Sequence, residues 1–173
     1  MKKTVLILSI IIIIASVGCV SRTSNPPVSG SSQTPFASAG AGSNVCTNPA
    51  PLEHVYHPYR LAVIDSCKTV SGTVTKIIKE KDGDTHIRLN VDPQYADTIN
   101  QANIDGQDGY LVLEIVCAYP VTQKDAVSAC ADYENEIAVP AVNEHITVTG
   151  QFVSDTDHGG WNEIHPVYQI IES

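Results

Sequence analysis

The chain has 173 residues and a formal charge of −9, with 10 Lys and Arg against 19 Asp and Glu. Such an acidic balance lacks the Lys/Arg footprint that releases counterions from phosphates, which argues against sequence-independent nucleic-acid binding. Hydrophobic residues make up 43% of the chain, enough for one buried core but spread very unevenly along it.

The first residues pair Lys2 and Lys3 with an apolar run from Val5 to Val17, broken only by Ser9 and Ser16. A basic start, an apolar core and a small-residue end predict a secretory signal over residues 1–18, too short for a comfortable membrane span. The run closes on Gly18-Cys19, which resembles a lipoprotein signal. That resemblance implies a lipidated Cys19 at the new amino terminus, although Ser16 stands where such signals usually carry Leu or another aliphatic residue. Ordinary cleavage, or an uncleaved anchor, is the alternative. Residues 19–45 then turn to Ser, Pro, Gly, Ala and Thr. Such a stretch buries too little apolar surface to offset its ordering entropy and reads as a flexible tether. The expected location is outside the cell, tethered to the outer face of the membrane, with the lipid anchor as the membrane partner.

Residues 46–173 remain as a single domain. Losing Lys2 and Lys3 with the signal takes the charge from −9 to −11. The four cysteines of this part, Cys46, Cys67, Cys117 and Cys130, are even in number and contain no Cys-x-x-Cys pair, so two disulfides are expected rather than zinc. Three pairings are possible. Cys46–Cys67 would fasten the leading segment to the first strand, and Cys117–Cys130 would close the loop after the third; these are the pairings expected.

From 46 to 66 the chain is Pro-rich, with Leu61 to Ile64 as a short strand or a segment across the end of the domain. His54 and His57, followed by Pro58, read as surface histidines beside packing tyrosines rather than as a metal pair. The first strand follows, with Val70, Gly72, Val74 and Ile78 on one face. Asp82-Gly83 supplies a tight turn. The returning strand alternates Ile87, Leu89 and Val91 inward with His86, Arg88 and Asn90 outward. A short helix or turn over 93–103 leads to a third strand, Tyr110 to Ala118, apolar throughout except for Glu114, which reads as structural. Thr122 to Asp125 resembles a capping box and predicts a short helix over 126–133. In the fourth strand Ile146, Val148, Gly150 and Phe152 share a face.

Val70-x-Gly72-x-Val74 and Val148-x-Gly150-x-Phe152 repeat one pattern, and a glycine inside a strand commonly marks a sharp bend in a small barrel. The fold class expected is therefore mainly β. Five strands, two of them bent at glycine, with a short helix between strands 3 and 4, resemble the OB-fold, a five-stranded Greek-key barrel. A β-sandwich is the alternative.

The closing stretch gathers the polar chemistry: Asp155, Asp157 and His158 in a loop, then Trp161, Glu163 and His165 alternating along the fifth strand. His158, Glu163 and His165 form a candidate divalent-metal set, with imidazole and carboxylate donors that suit zinc or a similar ion. No cofactor is otherwise implied. A polar patch anchored by Trp161 is the competing reading, with His86 and Arg88 beside it as ligand-binding residues. A second resemblance lies in GTVTKIIKEKDGDTHIRL, which is similar to nucleases of the staphylococcal type, where the second Asp of DGDT binds calcium. Asp84 would be that residue. The likeness ends at Val91-Asp92-Pro93-Gln94, where the catalytic Glu of that family is missing, and no later Arg exists to act as its second phosphate-binding arginine. The reading favoured is a non-catalytic binding module for a small ligand or a cell-envelope protein, without nucleic acid. The alternative is a divalent-metal-binding protein, or a metal-dependent hydrolase or nuclease, using the His/Glu/Asp cluster.

Overall fold

A computed structural model describes residues 45–48 and 50–172. The signal segment, Cys19 and nearly all of the tether lie outside the described residues.

Five strands form the domain: β1 (Leu61–Lys79), β2 (Thr85–Val91), β3 (Leu111–Ile115), β4 (His145–Asp155) and β5 (Trp161–Glu172). They close into a ring in the order β1-β2-β3-β5-β4, with β4 pairing back onto β1. All contacts are antiparallel except the one between β3 and β5. The ring closes because β1 is long enough to serve two neighbours. Its first part, starting at Leu61, pairs with β4, and its last part, from Gly72, pairs with β2. The segment from Leu61 to Ile64 is thus the start of β1, not a separate strand.

Gly72 and Gly150 sit where the expected bends fall. A Cβ on Gly72 would come within 2.8 Å of the Val91 Cα, and one on Gly150 would collide with the Pro166 carbonyl and the Ile164 side chain. The pairing of β4 with β5 shifts register on both sides of Gly150, so glycine permits the bulge that turns the sheet.

Alternation then divides the side chains. Val70 and Val74 from β1, Ile87 and Leu89 from β2, Leu111, Leu113 and Ile115 from β3, and Ile146, Val148 and Phe152 from β4 fill the interior with Ile164 and Val167 from β5. A second apolar cluster, Val55, Leu61, Val116, Cys117 and Val153, lies apart from it. Both expected disulfides are present: Cys46–Cys67, and Cys117–Cys130 with an S–S distance of 2.05 Å.

The helix expected between strands 3 and 4 is absent: 124–132 is a series of turns. Thr122 and Gln123 direct their amides to the Lys81 carbonyl, Asp125 accepts from the Tyr56 hydroxyl instead of capping, and Cys130 is tied to Cys117. These tertiary bonds take the groups a helix would have used. Helical turns lie before β1, at Pro58–Arg60, and between β2 and β3, where a short helix or turn was expected, as a 3-10 stretch Pro93–Thr98 and a short helix α1 (Gln101–Gly106) capped by Asn100. Asn103 of α1 is fully buried and bonds the Asn162 amide and carbonyl, both at 2.9 Å, fastening α1 to the start of β5.

Candidate functional site

The face of β2, β3 and β5 turned away from the core carries the polar residues. Ile87, Leu113 and Ile164 belong to the core, so alternation places His86, Glu114, Glu163 and His165 on the opposite face. Pairing sets them in rows. His86 stands opposite Glu114, and Val112 stands beside Glu163. Continuing the β3–β5 register brings Glu114 beside His165.

This face is covered, which the pattern of the strands alone does not predict. Glu163 and His165 are 1% and 0% exposed, and Glu114 is 8% exposed. They are therefore interior groups, not the open strand face expected. Gln107, following α1, accepts from His86 Nε2 at 3.3 Å and from Arg88 Nε at 3.0 Å. Arg88 also pairs with Asp108, so its guanidinium is held by the loop that follows α1.

Each buried charge has a partner. Glu163 Oε1 accepts from His165 Nδ1 at 2.9 Å, and its Oε2 accepts from Trp161 Nε1 at 2.9 Å. Glu114 Oε1 pairs with His86 Nδ1 at 3.1 Å. Burial disfavours the Glu163 anion, but the hydrogen bond and charge of His165, the Trp161 N–H and Arg60 outweigh it and hold the carboxyl below its ordinary range. Burial likewise opposes the His165 cation, yet Glu163, Glu114 and Asp84 carry its titration above the usual value. His86 is raised in the same way, burial being overcome mainly by Glu114. Asp84 goes the other way from Glu163. Burial pushes its carboxyl up to about 8, Glu114 and Asp82 adding to the rise, while the Cys117 amide and His165 oppose it. Four buried side-chain atoms have no hydrogen-bond partner among the described residues: Thr85 Oγ1, Gln151 Oε1, Glu114 Oε2 and His165 Nε2.

Beside this cluster the loop after β4 folds back over Arg60. Asp155 is fully buried, forms an ion pair with Arg60, and accepts from His158 Nδ1 at 2.8 Å. Its other oxygen takes the Asp157 and His158 amides. His158 remains half exposed and stacks on Trp161, with ring centres 5.4 Å apart.

These parts enclose a cavity of about 500 Å³. Its wall carries six carboxyl groups, Glu80, Asp82, Asp84, Glu114, Asp155 and Asp157, against Arg60, His57, His86 and His158, with Tyr56 and Trp161 at the side. The structure thus brings His86, Trp161 and His158 to one cavity. Arg88 is turned to α1, and Glu163 and His165 lie behind the wall. His158 keeps company with Asp155 while Glu163 and His165 bond each other, so the expected metal set is split into two hydrogen-bonded groups. Among the described residues, the group of three or more candidate donors lying within 4.8 Å of one another is Asp84, Cys117 and Cys130. The two sulfurs there are joined in a disulfide, so that group offers no thiolate and a single carboxylate. His54 and His57 lie beside tyrosines, His54 stacked on Tyr133 and His57 on Tyr56.

Sequence reasoning missed the part played by Arg60 and Tyr56, which precede the strands; Glu114, read as structural, is paired with His86 and also lines the cavity. Its signal was there: a lone carboxylate in an otherwise apolar strand must find a partner or a site. No protein-family model, curated protein or solved structure matches this chain.

Proposed function

We propose that the chain is an extracytoplasmic lipoprotein whose domain is an OB-fold-like binding module for a small polar ligand. Supporting the OB-fold reading are the ring order β1-β2-β3-β5-β4 and the parallel contact of β3 with β5. The two disulfides fit an oxidising compartment, and the Gly18-Cys19 pair after an apolar run supplies the anchor.

The cavity is the observation that carries binding. It is concave, walled by convergent polar groups, and bordered by an indole held in place by Glu163 and His158, the features of a small-molecule site. Six carboxyls disfavour a phosphate backbone and favour cations, amines or hydroxyl-rich ligands such as sugars.

Trp161 is the only tryptophan in the chain, so its fluorescence reports on the cavity directly. Titrating the full-length protein with monosaccharides, polyamines, divalent cations and a single-stranded oligonucleotide tests the reading. A saturable response to one of the first three, absent with the oligonucleotide, is expected. A silent indole throughout, or a salt-sensitive response to the oligonucleotide, would defeat it. Fractionation of cells carrying Cys19→Ser tests the anchor, which is wrong if the mature protein stays membrane-bound.

A further inference from the structure

We infer that the buried cluster just behind this cavity's wall is a site for a divalent transition-metal ion of the zinc class, bound by His165 Nε2 and Glu114 Oε2 with Asp84 as a further oxygen donor. The inference rests on the reading of the cavity as a binding site and names the ligand chemistry of the groups behind its wall.

The unpartnered atoms carry the argument. A buried imidazole nitrogen and a buried carboxylate oxygen each cost free energy when no hydrogen bond replaces water. His165 is fully buried and Glu114 nearly so, yet Nε2 of one and Oε2 of the other have no partner. Extending the β3–β5 register puts the two residues side by side. Of the four orphaned atoms, these two therefore belong to one neighbourhood, and Glu114 lines the cavity.

The partnered atoms point the same way. Metal-binding histidines almost always donate their other ring N–H to a carboxylate or carbonyl, which orients the ring. His165 does so to Glu163 at 2.9 Å, and Trp161 in turn donates to that carboxylate. Glu114 has its other oxygen held by His86, and Asp84 has Oδ1 held by the Cys117 amide at 2.8 Å. Each of the three side chains thus has an orienting bond on one atom. Their donor atoms are not gathered within 4.8 Å of one another as a set, so binding requires the Glu114 and Asp84 carboxyls to turn toward His165. Imidazole with carboxylates suits zinc and its first-row neighbours better than calcium or magnesium, which take oxygen alone.

The test uses the full-length protein and zinc chloride, with cobalt chloride as a coloured substitute. One ion per chain is expected, together with a large ¹⁵N shift of His165 Nε2 by NMR and visible cobalt absorption. Glu114→Gln keeps the size and the acceptor facing His86; it should weaken zinc by more than the range of about 10–100-fold expected for a merely orienting partner. His145→Ala, off the site, should leave binding unchanged. The His165 shift is read on the unsubstituted protein, so the result stands even if Glu114→Gln folds poorly. Zinc that leaves His165 Nε2 unmoved, survives intact in a folded Glu114→Gln protein, or is lost in His145→Ala overturns the inference. Saturable binding of a sugar or amine without zinc at His165 would overturn the metal site alone and leave the binding module standing.

Discussion

Glu163 and His165, two positions apart on β5, share a hydrogen bond of 2.9 Å between Oε1 and Nδ1 with neither side chain more than 1% exposed. The pair forms inside the protein because strand alternation points both residues the same way, and the covering segments then remove water from them. Removing one member of a buried pair strands the other, at a cost of about 3–5 kcal/mol. Glu163→Ala and His165→Ala are therefore expected to lower the urea midpoint strongly. Midpoints within experimental error of the parent would show that the pair is exposed to water in solution.

Gly150 lies where β4 shifts register against β5, under the Pro166 carbonyl. Gly150→Ala inserts a methyl group that has no space, and overpacking of this kind typically costs about 1–3 kcal/mol. Thermal unfolding monitored by circular dichroism checks it. An unchanged or raised Tm would mean that the bulge does not depend on the missing Cβ.

The Cys117–Cys130 disulfide closes a loop with a sequence separation of 13. Restricting a loop of that length in the unfolded chain is worth about 3 kcal/mol. The double substitution to serine is expected to lower stability by that order and to loosen the segment bonded to Lys81 and Gly83. Hydrogen exchange at Tyr119, Thr122 and Gln123 reads the loosening, and full retention of their protection would contradict it.

Asp92 accepts from the Ser71 hydroxyl and from His145. The Ser71 bond first, and then His145, hold its carboxyl below the ordinary value against a smaller opposing effect of burial. A depressed folded value means that Asp92 contributes stability above the ordinary carboxylate range and loses it as pH falls through the folded value. In an NMR pH titration, Ser71→Ala should move the Asp92 midpoint upward. A midpoint that stays in place would remove the hydroxyl as the cause.

Strands β1, β2 and β4 were legible because each carries a period of two over a one-sided core, and β3 because it is a short, almost wholly apolar run. Ile87 and Leu89 alternate with His86 and Arg88, and Ile146, Val148 and Phe152 with polar neighbours, so burial of one face defines the strand before any partner is known. The paired glycines were legible for the same reason, since a residue without a side chain inside such a strand has a steric cause. Two disulfides followed from the even number of cysteines, and of the three possible pairings the favoured one is present.

The segment 119–135 was misread because its capping signal is local, whereas its amides and Asp125 bond to Lys81 and Tyr56, partners far away in the chain. The candidate site was half legible for a related reason. His86, His158, Trp161, Glu163 and His165 were visible as chemistry-bearing residues on strands or a loop. Periodicity says which way a side chain points but not what covers the face it points from. Only the tertiary structure decided that Glu163 and His165 are buried partners. The same packing drew in Arg60, Asp84 and Glu114 from three different segments, because ion pairing in a water-poor interior is governed by distance in space and not by distance along the chain.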